Sequence, residues 1–218
     1  MKHILKNNYL YFSLYLFIWL LVLVWVLITN KLEQMSIINS HYSNWADYFF
    51  VGATQLGEGW FFGVVILIFL FIKFYQALML TASLALGSLL SVSLKFSFDT
   101  PRPHLFFAGK KIPWHLVDGL TIHIHNSFPS GHTITAFSIA TLLVLFHPNK
   151  YLSIIFLILA CLAGYSRCYL FQHFPEDVLG GSFVGIFSSL VVFVLIDKMM
   201  NIYPKKWYEN SITFIKKS

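Results

Sequence analysis

Charge is what this sequence has least of. Asp, Glu, Lys and Arg supply 11% of its 218 residues, against 57% hydrophobic residues, whereas a soluble domain carries roughly 25% charged residues. Water is therefore not the main solvent of this chain. Cysteine is nearly absent too: Cys161 and Cys168 stand alone, inside one apolar run. On a helix, seven residues rise about 10 Å, and disulfide Cα atoms lie within about 7 Å of one another. The two thiols cannot pair with each other and read as small core residues. A basic run suited to nucleic acid is also missing. Lys and Arg number 15 against 9 Asp and Glu, and the lysines flank apolar runs, as they do where they set orientation in a bilayer. No internal repeat or low-complexity linker divides the sequence, so residues 1–218 read as a single membrane-embedded domain.

What the chain has instead is apolar runs of spanning length, for which about 20 residues are needed, with a range of about 17 to 25. The first covers 9–29 behind Lys2 and Lys6. It is longer than a signal-peptide core and ends at Thr29-Asn30-Lys31 without a small-residue cleavage site, so it reads as an uncleaved span. The second runs from Gly59 to about Ile72, and the third covers 77–94 after a polar break at Lys73–Gln76. The fourth starts just after His132 and ends near His147-Pro148; the fifth and sixth cover 151–170 and 178–196. The expected fold is all-α, a polytopic membrane bundle of six transmembrane helices. Six spans put both termini on one side, with nine lysines against six basic residues opposite. Three of those six, Lys95, Arg102 and Arg167, belong to the segments described next; without them the ratio is nine to three. The positive-inside rule then predicts cytoplasmic termini in a cell membrane and external loops at Asn30–Glu58 and Lys95–Ser130.

Three segments at the outer ends of spans carry reactive groups. Lys95 is followed after six residues by Arg102-Pro103. Pro129-Ser130-Gly131-His132 opens the fourth span. Ser166-Arg167 is followed by His173 and then Asp177. Phosphoryl transfer spreads negative charge over the equatorial oxygens, which fixed cations stabilise. Arginine forks at Arg102 and Arg167 match two phosphate oxygens at once, and Lys95 adds a point charge. Ser130 and Gly131, at a helix start, offer a hydroxyl and backbone N–H groups to an anion. Two histidines allow one to attack phosphorus and the other to protonate the departing oxygen. Asp177 lies one helical turn from His173 if Pro175 begins the last helix. That carboxylate can accept from one ring nitrogen and leave the other for attack, which makes His173 the candidate nucleophile. His132, with no carboxylate at comparable spacing, is the candidate acid.

These segments resemble the three signature motifs of the type-2 phosphatidic acid phosphatase superfamily, K-x6-RP, PSGH and SR-x5-H-x3-D, with every motif position matched. The motifs and intervening spans cover about residues 60–197. The resemblance implies that Lys95, Arg102, Ser130, Gly131 and Arg167 bind phosphate, that His132 is the acid, and that Asp177 partners the nucleophile His173. It implies a phosphorylated membrane lipid as substrate: phosphatidic acid, phosphatidylglycerol phosphate, undecaprenyl diphosphate or a lipid A phosphate. No cofactor and no metal ion are expected. One local departure is Phe171, where many relatives have a small residue, and it bears on pocket shape.

Other features are less telling. Gly57-Glu58-Gly59-Trp60 reads as a turn with a helix-start acid, although Glu58 could also meet a headgroup or an active-site cation. Asp99 can balance its basic neighbours. His123-Ile124-His125 has the look of a two-residue metal clip without a third ligand, in a loop long enough to cover a headgroup. The basic C-terminal tail, Lys205-Lys206-Trp207 and Lys216-Lys217, suits the cytoplasmic lipid surface. The alternative to an enzyme is a non-catalytic lipid-binding or transport protein using the same cation pocket, for which neither histidine would be needed.

Overall fold

The computed structural model describes residues 7–202 and Ser211, and the described residues form helices and loops without strands. Both the basic tail at 205–217 and Lys2 and Lys6 lie outside the described residues. Helix α1 (Tyr9–Ile28) is apolar on nearly every side and keeps most of its surface exposed, as a helix facing lipid does. Its polar tips anchor it inward: Tyr11 shares a hydrogen bond with Thr141 at 3.0 Å, Tyr15 with Ser182 at 3.2 Å, and the Trp19 indole donates to Leu179 O at 3.3 Å.

The expected external loop Asn30–Glu58 is largely helical. Helix α2 (Lys31–Ser40) starts at a capping box in which Asn30 and Glu33 satisfy each other's backbone N–H groups. Helix α3 (Asn44–Thr54) starts at Ser43, which accepts from Ala46 N. Mixed polar and apolar composition hid both helices among loop residues, while their caps were the local signal. A single 3-10 turn (Gln55–Gly57) joins α3 to α4 (Gly59–Ile72), and the two meet at a bend of 53°. Only Lys73 stands between α4 and α5 (Phe74–Phe98), so the polar break is shorter than Lys73–Gln76 and α5 is longer than 77–94. Pro103 opens a one-turn helix α6 (Pro103–Phe106). After an irregular stretch come α7 (Gly131–Phe146), α8 (Lys150–Tyr169) and α9 (Pro175–Ile202).

Four of these helices are long and apolar enough to cross a membrane, or five if the bent α3–α4 pair is one span. Helix α7, at 16 residues, falls short of that length. It is nonetheless the centre of the bundle. Ala136, Phe137, Ala140 and Val144 pack with Leu157, Ala160 and Ala163 of α8, and Ile139 and Leu142 with Met79 and Leu80 of α5. Against α9 the approach is closer still. A Cβ at Gly181 would lie 2.7 Å from Ser130 O, and one at Gly185 would lie 2.6 Å from Ile134 O. The next position on this stripe, Ser189, donates to Ser138 O at 3.1 Å. Small residues four apart let two backbones touch, which is how helices associate where no water drives them together. That contact holds the start of α7 against the start of α9, and the three motif segments meet there.

Candidate active site

Pro175 begins α9, with Glu176 and Asp177 in its first turn, so Asp177 does stand one turn after His173. Its Oδ2 lies 3.3 Å from His173 Nδ1 and also accepts from the Ser127 hydroxyl at 2.6 Å and from Phe174 N at 2.8 Å. Three donors on one buried carboxylate oxygen fix its position, and Nδ1 pinned to it leaves His173 Nε2 as the nitrogen available for attack. Burial pulls the His173 imidazole far below its usual range, to about 3, partly offset by Asp177 and reinforced by Arg102 and Arg167. The ring is therefore neutral at physiological pH, the state a nucleophile needs. The Asp177 carbonyl accepts from Ser130 N at 3.0 Å, tying the second motif to the third through backbone.

Ser130 caps α7, and its oxygen accepts from Thr133 N at 3.4 Å and Thr133 Oγ1 at 2.9 Å. Its own hydrogen remains for an external acceptor. The Ser130 N–H is already spent on Asp177, so the helix-start donors left for an anion are those that follow it. Both arginines are buried, and both are held by neutral oxygens. Arg102 donates through Nε to His125 O at 3.0 Å and through Nη1 to Gln172 O at 3.3 Å. Arg167 donates through Nη1 to Thr54 Oγ1 at 2.7 Å, while its Nε is buried and has no hydrogen-bond partner. A buried guanidinium nitrogen left unpaired is costly unless an anion completes it. Lys95, in the last turn of α5, is half-buried and lies within the electrostatic reach of Arg102, Arg167 and Asp177. His123, at the rim, is depressed below the usual histidine range by partial burial, then by Arg102, Arg167 and Lys95. The three cations thus lie within electrostatic reach of one another, and both arginines within reach of His132 and His173.

His132, unpaired as far as local spacing goes, has a carboxylate in space: its Nε2 lies 2.8 Å from Glu58 Oε1. Among the described residues no group of three His, Cys, Asp or Glu side chains comes together as a metal cage. His115, at the start of the histidine-bearing loop, instead bonds Asp47 at 3.0 Å and stacks on Tyr42, while Asn39 holds its backbone. That cluster docks the loop onto α2 and α3.

Similarity to known proteins gives the family. The model of the PAP2 superfamily matches residues 76–200, more than half of the chain. The chain belongs to the PAP2 superfamily. It is 42% identical over 88 residues to the bacitracin transport permease protein BcrC of Bacillus licheniformis, covering 38% of this chain and 42% of that protein. The chain thus spans less than half of that relative's length. Among solved structures it resembles Aquifex aeolicus LpxE with a TM-score of 0.66 and 30% identity, over 75% of this chain and 94% of that one. It also resembles a transmembrane PAP2-type phosphatidylglycerolphosphate phosphatase of Bacillus subtilis, with a TM-score of 0.61 and 27% identity, over 91% and 99% of the two chains. Together with its apolar helices, these likenesses make it a membrane protein.

Phe171, the departure from the PAP2 pattern, has a left-handed backbone at φ 57°, a conformation that favours glycine. Its ring leaves the site and packs on Trp114 and Phe107, bracing the outer loop. Residues at no fixed motif position also bond the motif side chains, among them Thr54, Glu58, Ser127, Thr133 and Gln172. Ser127 and Gln172 adjoin motif residues in sequence; Thr54 and Glu58 carry no local signal beyond a Gly-Glu-Gly turn before a span.

Proposed function

We propose that this chain is a lipid phosphate phosphatase that works through a phosphohistidine intermediate and needs no metal ion. The observation that carries the proposal is the buried His173–Asp177 pair beside an arginine whose Nε has no partner. Lys95, Arg102, Arg167, the Ser130 hydroxyl and the amides after it would hold the phosphate. His173 Nε2 attacks phosphorus and forms a P–N bond as the P–O bond to the lipid breaks. The electron pair of that bond goes to the leaving oxygen, which takes a proton from His132. Water then attacks phosphorus, His132 takes the proton of water, and the P–N pair returns to His173.

Depth supports a lipid substrate. At about 1.5 Å per residue, the 16 residues of α7 rise about 24 Å, less than the ~30 Å hydrocarbon core. If α7 crosses, its first turn sits near the headgroup level, and there Ser130 and His132 stand. In the six-span reading α4 and α7 are short spans, the termini are cytoplasmic and the site faces the outside or periplasm of the cell membrane. Phosphatidic acid, phosphatidylglycerol phosphate, undecaprenyl diphosphate and lipid A phosphates all fit that placement. A binding or transport role, which the name of the Bacillus licheniformis relative suggests, needs the cations but neither a neutral buried His173 nor a paired His132. Purified protein in detergent should release phosphate from at least one of those four lipids, and His173→Ala should abolish release while keeping the helical content. Robust turnover by His173→Ala would overturn the phosphohistidine scheme. No release from any lipid by the unaltered protein would overturn the phosphatase reading.

A further inference from the structure

The bend between α3 and α4 sets the 3-10 turn Gln55–Gly57 and the extended Glu58 against the start of α7. Here the turn does more than connect. Thr54, the last residue of α3, is buried and accepts from Arg167 Nη1 at 2.7 Å. Three residues later, a Cβ on Gly57 would lie 2.6 Å from His132 O and 2.8 Å from His132 Cβ. Only glycine lets the turn lie flat against the start of α7. The next side chain, Glu58, then reaches His132 Nε2 at 2.8 Å. One turn thus touches a phosphate-binding cation, the backbone of the acid histidine and its ring.

We propose that Thr54–Glu58 is a fourth active-site segment, in which Glu58 is a positioning residue that holds His132 as the proton donor to the leaving oxygen. The inference rests on the phosphatase reading above and adds to it the residue that prepares the acid. With Nε2 bonded to Glu58, Nδ1 becomes the nitrogen that faces the leaving oxygen. The charged groups around the His132 ring are Arg167 from α8, Arg102 from the loop before α6, and Glu58. Burial of the ring, and then the two guanidiniums, oppose an imidazolium, and Glu58 is the anion that favours it. The ring also borders a cavity of about 270 Å³ lined by Glu58, Ser88, Ser91, Thr135 and Ser138. Its floor is Gly87, where a Cβ would meet Ile134 at 3.0 Å. The cavity lies on the His132 side of the site, away from His173, and its hydroxyls suit the polar end of a departing alcohol.

A prepared acid matters in proportion to how badly the leaving group departs by itself. An alkoxide leaving from phosphatidic acid needs a proton in the transition state; a 4-nitrophenolate does not. The test compares unaltered protein, Glu58→Gln and Glu58→Asp in detergent on dioctanoyl phosphatidic acid and on 4-nitrophenyl phosphate, with the thermal midpoint of each variant measured alongside. For Glu58→Gln we expect kcat on phosphatidic acid to fall by about 10²-fold, the lower end of what general acid catalysis contributes, while kcat on the aryl ester stays within about threefold. Glu58→Asp should recover part of the loss on phosphatidic acid only. Equal losses on both substrates would make the contact merely structural and overturn the proposal, as would an unchanged rate on phosphatidic acid. Should Glu58→Gln melt far below the unaltered protein, the same comparison is read from Glu58→Asp. If the unaltered protein hydrolyses neither ester nor any lipid, the phosphatase reading itself falls, a result distinct from either outcome for Glu58.

Discussion

Replacing Asp177 by Asn exchanges one carboxylate oxygen for an NH2 group where every other atom is already placed. Oδ2 accepts from Ser127, Phe174 N and His173 Nδ1, while Oδ1 is buried without a hydrogen-bond partner. Asn can keep all three donors by presenting its carbonyl oxygen where Oδ2 stands. Its NH2 then occupies the unpartnered Oδ1 position and stays unsatisfied, at about 1–3 kcal/mol. That lowers the thermal midpoint by several degrees, taking about 2–4 °C per kcal/mol for a chain of this size, without unfolding the protein. The other effect is on the reaction. The His173 bond loses its charged acceptor just as positive charge grows on the ring during attack, and a bond to a charged group exceeds a neutral one by about 1–1.5 kcal/mol. Divided by 1.36 kcal/mol per decade, that is about a 5- to 13-fold loss in kcat. Lys95, Arg102 and Arg167 keep their places, so competitive inhibition by inorganic phosphate should change by less than about threefold. Phosphate release at saturating substrate, with phosphate inhibition measured in parallel, decides the matter. A variant that folds and turns over within threefold of the unaltered protein would show that His173 needs no carboxylate.

Further expectations concern metal, sidedness and acid. Because three cations and the helix-start donors already compensate an equatorial phosphate charge, turnover should persist in excess EDTA and fall with orthovanadate; loss in EDTA restored by magnesium would refute this. A cysteine placed in the 115–126 loop, in a variant lacking Cys161 and Cys168, should react with an impermeant thiol reagent on intact cells, after outer-membrane permeabilisation where needed. Labelling only after lysis of the cytoplasmic membrane would reverse the topology. His173 binds its proton near 6.5 when unfolded and near 3 when folded, so between these values the unfolded chain holds more protons. Its contribution to stability is thus full above about pH 6.5 and is lost as pH falls towards 3. The thermal midpoint of His173→Gln should vary less between pH 7 and pH 4.5 than that of the unaltered protein, and an identical pH dependence would contradict the neutral buried ring.

Local spacing makes part of the candidate site legible in the sequence alone. His173 and Asp177 are four residues apart across a proline that can start a helix, so sequence distance and spatial distance nearly coincide. The pairing of His132 with Glu58 is the opposite case. They are 74 residues apart, and nothing local distinguishes Glu58 from an ordinary acid at a helix start. His132 lacks a carboxylate in its sequence neighbourhood but not in its surroundings. Helix α2 is hidden for a related reason. Its apolar residues serve separate patches, with Met35 meeting Phe107 and Ile38 meeting Tyr169, so no strong apolar period marks it. Phe171 joins two regions: its left-handed backbone lies within the motif, and its ring supports the outer loop.

The distribution of partners within the site has its own logic. Carboxylates and guanidiniums stand within reach of one another, yet the hydrogen bonds do not pair them. Arg102 is held by the carbonyls of His125 and Gln172, and Arg167 by the Thr54 hydroxyl. Neutral oxygens orient a guanidinium without cancelling its charge, whereas a carboxylate in their place would neutralise the charge that a phosphate must find. The carboxylates go to the imidazoles instead, Asp177 to His173 and Glu58 to His132. In the proposed cycle each would favour the positive charge on its ring, at His173 after attack and at His132 before proton transfer. The frame is fixed by backbone bonds as well, Arg102 N to Ile124 O, Ser127 N to Thr100 O, and His173 N to Arg167 O. Little reorganisation is left for the moment of reaction, and preorganised charge of this kind stabilises a transition state more than mobile charge would. Swapping the two kinds of partner, for example with Thr54→Asp, should therefore weaken phosphate binding although it adds an ion pair to the protein.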